Sequence, residues 1–107
     1  MAKRRAVRIE ILPTAKADLK EIVSFIAQRS IKYAKLEKQL IVRAISQLLD
    51  FPDMGRTFDY RSIDARQFVF KNYLIIYRYK TEDVLEILTI HHHARLLSNN
   101  PTFTDED

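Results

Sequence analysis

An α+β fold is the class that this sequence predicts, on three observations. A short alternating segment comes first, two amphipathic segments of helical period follow it, and apolar strand-like segments fill the second half of the chain. Each element has an apolar face that must be buried. When helices pack on one face of an antiparallel sheet, the apolar faces of the helices and of the sheet cover each other. The predicted order is β-α-α-β-β-β, with the N-terminal strand and a helical hairpin packed on a mainly antiparallel sheet.

Length and composition predict one folded domain. The chain has 107 residues, 47% of them hydrophobic, which is enough for a single modest core. Acidic residues crowd positions 105–107. We therefore predict one domain over residues 1–98 and a flexible acidic tail over residues 99–107.

The first strand and the first helix are predicted from periodicity. Residues 7–12 alternate apolar and charged side chains, as in a half-buried strand. Thr14 is predicted to cap a helix that runs to about Arg29, with Asp18 and Glu21 near the positive end of the helix dipole. The apolar stripe of this helix consists of Ala15, Leu19, Ile22, Val23 and Ile26.

A second helix is predicted from about Tyr33 to Asp50, after a connector at residues 30–32. Pro52 ends it, because the residue before a proline disfavours the helical region. Its predicted apolar stripe consists of Leu36, Leu40, Ile41, Ala44, Ile45, Leu48 and Leu49. The charged residues of its other face, Glu37 among them, are interpreted as solvated surface. The short connector predicts an antiparallel helical hairpin.

The second half of the chain is predicted to form the rest of the sheet. Residues 52–65, which include the only glycine, Gly55, are predicted to be irregular. Three strands are predicted after them, over residues 67–71, 73–80 and 84 to 91 or 92. Residues 81–83 are predicted to form a polar hairpin turn. Residues 74–77 are all apolar, which predicts that their strand is central in the sheet.

Several classes of function are excluded or disfavoured by composition. The absence of cysteine excludes disulfides, zinc–thiolate sites and a catalytic thiol, and it fits the cytoplasm. A single glycine excludes P-loop and dinucleotide-binding motifs. No apolar run approaches the roughly 20 residues of a membrane helix. We expect a cytoplasmic protein with no membrane partner and no cofactor.

Positive charge is concentrated in one part of the chain. The formal net charge is +4 and the pI is about 9.5. Between positions 56 and 80 the charged residues are Arg56, Arg61, Arg66, Lys71, Arg78 and Lys80, against Asp59 and Asp64. This distribution favours nucleic acid or an acidic protein as partner, with simple solubility as the alternative.

Three consecutive histidines, His91–His93, follow the last predicted strand. Neighbouring residues on a strand point to opposite faces, so only His91 and His93 could share one ion. The chain contains no other histidine, and we therefore predict no metal site. We expect His92 to lie in a functional cleft, with a packed strand-end ring as the alternative.

Basic residues near the predicted last strands form a candidate site. RNA cleavage needs a base for the 2′-hydroxyl proton, a cation for the phosphorane and an acid for the leaving oxygen. Arg66, Arg78, His92 and Arg95 could supply these roles, with Tyr73, Tyr77 or Tyr79 nearby. Arginine on a strand is also typical of a solvated edge, and tyrosine of a packed core. The residues alone leave a nuclease and a basic binding surface both open.

Four sequence motifs point to a known family. They are A-x-x-D-L-x-x-I-x-x-F-I at residues 15–26, L-x-x-x-P-x-x-G-R at 48–56, N-Y-x-I-x-Y-R at 72–78 and H-x-A-R at 92–95. In this order and spacing they resemble the RelE/ParE superfamily of bacterial toxins, over roughly residues 9–95. The resemblance implies the toxin of a type II toxin–antitoxin system, neutralised by an acidic, partly disordered antitoxin.

The resemblance implies one of three activities. ParE-like members inhibit DNA gyrase, RelE-like members are ribosome-dependent mRNA endonucleases, and a degenerate member would bind its antitoxin without being toxic. The long hairpin, the P-x-x-G-R and NYLIIYR patterns and the lack of a lysine-rich surface favour the ParE-like branch, which causes growth arrest and stabilises plasmids. We therefore assign no catalytic residue. The residues expected to contact the target are Arg56, Arg66, Arg78, His92 and Arg95, and the last four would be catalytic in a nuclease.

Overall fold

The computed structural model describes residues 6–92 as two helices packed on a five-stranded sheet. The helices are α1 (Pro13–Ala27) and α2 (Ile31–Ser46), and a 3-10 turn at Gln47–Leu49 follows α2. The strands are β1 (Arg8–Ile11), β2 (Arg56–Tyr60), β3 (Ile63–Phe70), β4 (Tyr73–Tyr79) and β5 (Val84–His92). The predicted α+β class, the order of elements and the helical hairpin are confirmed. The predicted tail at 99–107 lies outside the described residues.

The sheet is mixed, with strand order β1-β5-β4-β3-β2. Only the pairing of β1 with β5 is parallel, and the other three pairings are antiparallel. β1 and β5 are the first and last of the described strands, and the helical hairpin and β2–β4 between them supply the long connection that a parallel pair needs. β4 is the third of the five strands, which confirms the prediction that it is central.

Residues 52–65 are not irregular throughout, as the sequence had predicted, because β2 and the start of β3 lie within them. These strands form a hairpin whose turn, Arg61 and Ser62, has positive φ at both positions. Tight two-residue turns of this kind favour Asn-Gly or Asp-Gly. Arg-Ser carries none of that signal, so the edge strand could not be recognised from the sequence.

The start of α1 also differs from the prediction. Leu12 is the N-cap residue without a side-chain cap, and Pro13 is the first helical residue, a position where its missing N–H costs nothing. Thr14 therefore does not cap the helix. Asp18 lies beyond the first turn and accepts hydrogen bonds from the Thr89 hydroxyl and, at 2.9 Å, from the Ile90 N–H. β1 ends at Ile11, opposite Ile87, so the Ile90 N–H of β5 has no backbone acceptor on β1. The Asp18 carboxylate accepts this hydrogen bond instead.

α2 begins two residues earlier than predicted. The Ser30 hydroxyl accepts a hydrogen bond of 3.0 Å from the Tyr33 N–H and caps the helix. The predicted stripe is wrong at Leu36, which is 49% exposed. Glu37 takes the inward position instead and is 6% exposed. A carboxylate thus lies between the helix and the sheet.

The main core lies between the helices and the sheet. Its buried members are Ala15, Ile22, Ile41, Ile45, Leu48, Tyr73, Ile75, Tyr77, Leu85, Ile87 and Ile90. A second, smaller cluster of Ala65, Ile76 and Leu88 lies apart from it. Alternate residues of β4 belong to the two clusters, so this central strand is apolar on both faces. No helix among residues 6–92 is long and apolar enough to cross a membrane.

Candidate functional site

Two of the predicted site residues, Arg66 on β3 and Arg78 on β4, lie close together. They line one hollow of about 210 Å³, whose other lining residues are Thr57, Asp64, Ala65 and Tyr79. The structure therefore brings together two of the five residues named from the sequence. Both guanidinium groups, however, are already bonded within the molecule.

Arg66 holds the loop that follows the helices. Its Nη1 donates to the backbone carbonyls of Asp53, at 3.1 Å, and Gly55, at 2.8 Å. Its Nη2 lies 3.3 Å from the Asp53 carboxylate, and the Arg66 side chain is only 24% exposed. The guanidinium fixes the loop against β3 and has limited capacity to bind anything else.

Tyr77 fixes the same loop from β4. Its hydroxyl donates to the Pro52 carbonyl at 2.8 Å and accepts from the Gly55 N–H at 2.9 Å. A Cβ atom on Gly55 would lie 2.7 Å from this hydroxyl, closer than atoms can pack. Burial raises the pKa of the Tyr77 hydroxyl. The P-x-x-G-R pattern is therefore explained by loop docking, in which the glycine is needed for close approach.

Arg78 takes part in a network of ion pairs across three strands. Its Nε donates to Glu86 on β5 at 2.9 Å, and the Glu86 side chain is 8% exposed. Glu10 on β1 is the register partner of Glu86 and accepts from Lys80 at 3.0 Å. Lys80 and then Arg8 lower the pKa of Glu10. The arginine keeps 38% of its side chain exposed, so this residue can still meet a partner.

His92 lies at the other end of β4. Its ring stacks on Tyr73, with ring centroids 5.1 Å apart, and meets the edge of Phe25 at 6.4 Å. Tyr73 pairs with His92 whereas Tyr77 pairs with Arg66. These positions are separated by four residues of strand, or about 13 Å. His92 therefore does not share the hollow of Arg66 and Arg78.

Two predicted contact residues remain. Arg56 lies on the edge strand β2 and is exposed, and its side chain forms no hydrogen bond or ion pair with any of residues 6–92. Arg95 lies outside the described residues, so its predicted role stays a prediction. Within the described part of the chain, no three His, Asp or Glu side chains could hold a metal ion.

A second polar cluster, beside His92, was missed by the sequence reasoning. Glu37 of α2 accepts from the Tyr73 hydroxyl at 2.8 Å and from Lys71 Nζ at 2.9 Å. The prediction had placed Glu37 on the solvated face of its helix. Its spacing from Ala34 and Ile41, three and four residues away, puts it on their face and is the signal that could have identified it.

The pKa values of this cluster follow from burial and pairing. Burial raises the pKa of Glu37, but its bonds from Lys71 and Tyr73 outweigh burial, so the pKa lies below the ordinary value. The bond to Glu37 raises the pKa of Lys71. Burial, followed by the bond to Glu37, raises the pKa of the Tyr73 hydroxyl. The cluster is therefore an ionised carboxylate held by a lysine and a neutral phenol.

Comparison with known proteins agrees with this architecture. Residues 9–97 match the family model of the ParE toxin of the type II toxin-antitoxin system parDE. Comparison with curated protein sequences gives no match.

Two solved structures have a similar fold. A chain from the chromosomal ParDE toxin-antitoxin system of P. aeruginosa is 18% identical, with a TM-score of 0.68 over 85% of this chain and 98% of that chain. A chain from the RelBE2 toxin-antitoxin complex of Mycobacterium tuberculosis is 17% identical, with a TM-score of 0.56 over 88% and 97%.

Proposed function

Because this chain belongs to the ParE toxin family of type II toxin-antitoxin systems, we propose that it inhibits DNA gyrase and that a cognate acidic antitoxin neutralises it. The family establishes a toxin component. The target and the antitoxin are further steps. The target is inferred from the described residues, and the antitoxin from the charge of the chain and from the solved structures of similar fold.

The separation of the nuclease candidates is the observation that carries this proposal. Arg66 and His92 lie about 13 Å apart along the strands. A general base, a phosphate-binding cation and a general acid must meet around one scissile bond, each within hydrogen-bond reach. Arg66 is in addition bonded to three oxygen atoms of its own loop. The arrangement favours a protein that acts by binding.

The accessible arginines are the contacts that we propose for the target. Arg56 is exposed on β2 and unpaired among residues 6–92, and the Arg78 side chain on β4 is 38% exposed. Exposed arginines are frequent energetic centres of protein interfaces. Arg66 holds the loop that precedes β2 and does not need to touch the target. His92 lies at the other end of β4 and is not part of this surface.

A neutralising antitoxin is supported by charge. The chain is basic, with a net charge of +4, and an acidic segment would be attracted to it at long range. The two solved structures of similar fold come from a ParDE toxin-antitoxin system and a RelBE2 toxin-antitoxin complex.

A supercoiling assay tests the proposal. Relaxed plasmid is incubated with purified gyrase and ATP while the antitoxin-free protein is titrated, and a parallel sample receives ribosomes and mRNA. We expect supercoiling to stop at concentrations comparable to that of gyrase, with the mRNA intact. Ribosome-dependent cleavage of the mRNA with normal supercoiling would overturn the proposal.

Matched arginine variants locate the contact. Arg56→Ala should weaken inhibition by about tenfold, the loss of one good interface contact. Arg29→Ala, an exposed arginine at the hairpin connector, removes the same charge and should leave inhibition unchanged. Equal effects of the two variants would mean that net charge, rather than this surface, determines inhibition.

A further inference from the structure

A groove on the helical hairpin carries a charge pattern that the proposed function does not use. Its floor is apolar, formed by Ile11, Leu19 and Val23, and its rim carries three cations, Lys16, Lys20 and Lys38. It encloses about 420 Å³, and Ser24 lies at one end. We refer to it as the lysine groove. All of its lining residues lie between positions 11 and 38, within the described part of the chain, and none of them carries a carboxylate.

The chemistry of the lysine groove defines what it can bind. An apolar side chain on the floor would be removed from water, and carboxylates at the rim would meet three ammonium groups. The matching occupant is a short segment with one large apolar residue followed by several acids. Neutral or basic segments would leave the lysines repelling one another across the rim.

Such a segment exists within this chain. Residues 101–107 read Pro-Thr-Phe-Thr-Asp-Glu-Asp. We propose that this acidic segment docks in the lysine groove of its own molecule, with Phe103 on the floor and the carboxylates of residues 105–107 against the lysines. Three side-chain carboxylates would face three ammonium groups, so the charges of these six side chains would cancel.

The described structure places the end of the sheet close to the groove. The ring of His92, the last described residue, lies 6.4 Å from Phe25 of α1. Phe25 directly follows Ser24, which lies at the end of the groove. Successive side chains point about 100° apart around a helix, so Phe25 and His92 lie on a different side of α1 from the groove. Docking would therefore require the intervening residues, 93–100, to cross α1, which is about 10 Å wide. Eight residues can span about 26 Å, which is sufficient.

Because the acidic segment and the lysine groove belong to the same chain, a weak contact between them is sufficient for docking. A short tether holds the segment at an effective concentration in the millimolar range. Exposed ion pairs are individually weak and are screened by salt within about 10 Å at moderate ionic strength. Docking should therefore be partial at low salt and should largely disappear at high salt.

Paramagnetic relaxation in the full chain tests the proposal. The chain has no cysteine, so Thr104→Cys provides a unique attachment site for a nitroxide label. At low salt we expect amide signals of residues 16–24 and 38 to lose about half of their intensity or more, while those of β2 remain. In about 0.5 M NaCl the effect should weaken at least twofold. No localised loss, or a loss centred elsewhere, would overturn the proposal.

Charge-matched variants separate the groove from net charge. Lys16→Glu with Lys20→Glu should abolish the localised loss of intensity. Arg29→Glu with Lys32→Glu changes the net charge equally on exposed positions outside the groove and should preserve it. Phe103→Ser should weaken the effect at least twofold if the floor is used. Equal responses to the two charge pairs would mean nonspecific attraction and would overturn the proposal.

A mixed sample identifies which molecule supplies the segment. Protein that carries the nitroxide but no ¹⁵N is mixed with ¹⁵N-labelled protein that carries no nitroxide. We expect no localised loss of signal, since the contact is within one chain. Transfer of the effect between molecules would assign the groove to a second copy and overturn the proposal. None of these outcomes depends on gyrase, so they are separate from the test of the proposed function.

Discussion

At each end of β4 a buried tyrosine hydroxyl holds another segment of the chain against the sheet, but the partner groups differ. At one end the Tyr77 hydroxyl bonds the backbone of Pro52 and Gly55 and holds the loop that leaves the helices. At the other end the Tyr73 hydroxyl bonds the Glu37 carboxylate and holds α2 itself. Both tyrosines are at least 98% buried. The first anchor is neutral, whereas the second contains a charge.

This difference predicts where stability depends on pH. At the neutral anchor, the Tyr77 hydroxyl and its two backbone partners do not titrate in the acidic range. The folded-state pKa of Glu37 is lowered, so its stabilisation is present above the unfolded value of about 4.5 and is lost as pH falls through the folded value. Lys71 and Tyr73 have raised pKa values, so their contributions are lost at strongly alkaline pH.

The largest effect is expected at the neutral anchor, from Gly55→Ala. The added Cβ would lie 2.7 Å from Tyr77 and 3.0 Å from the Gln67 carbonyl, and the buried ring has little room to move. We expect the free energy of unfolding to fall by about 3 kcal/mol, at the upper end for overpacking. Urea unfolding followed by circular dichroism measures it.

Met54→Ala is the control for this loop, since Met54 is 43% exposed and precedes the glycine. Its cost should stay below about 0.5 kcal/mol. If Gly55→Ala were equally mild, the loop would not be docked on Tyr77 as described.

A smaller effect is expected at the charged anchor, from Glu37→Gln. The amide keeps the size of the side chain and can still accept from Tyr73, but it loses the charge that pairs with Lys71. We expect a loss of about 1.5 kcal/mol near pH 7 and a flatter acid limb of the stability curve. Asp59→Asn, an exposed carboxylate on β2, is the matched control with no change expected in that limb.

The smallest effects on stability separate two arginines that the sequence predicted as target contacts, of which only Arg56 is proposed to touch the target. Arg66→Ala removes bonds to the loop and should cost about 1 kcal/mol. Arg56→Ala should cost less than about 0.5 kcal/mol, because this exposed side chain has no partner among residues 6–92. Thermal unfolding compares them. A destabilised Arg56→Ala would assign a structural role to this residue as well.

Much of the fold could be predicted from the sequence because periodicity determines it. The alternation in β1, the helical stripes and the apolar run of β4 each report burial directly. The failures have local causes. A turn built from Arg61 and Ser62 conceals β2, and Pro13 begins α1 where a threonine cap had been expected.

The candidate site was predicted less well, because residue type does not reveal the partners of a side chain. Arg66 and Arg78, both named as candidates from the sequence, line one hollow, but the sequence could not show that Asp53 and Glu86 pair with them. The inward turn of Glu37 depends on Tyr73 and Lys71, more than 30 residues away. Such long-range pairs leave no local pattern.

The most direct test of the two-anchor account compares Tyr73→Phe with Tyr77→Phe across pH. Each variant removes one buried hydroxyl, and the free energy of unfolding would be measured between about pH 3.5 and 8. We predict a loss of about 1–3 kcal/mol for Tyr77→Phe at every pH. The loss for Tyr73→Phe should be similar near neutrality and should shrink as Glu37 is protonated. A constant loss for both variants would contradict the assignment of a charged anchor to Tyr73.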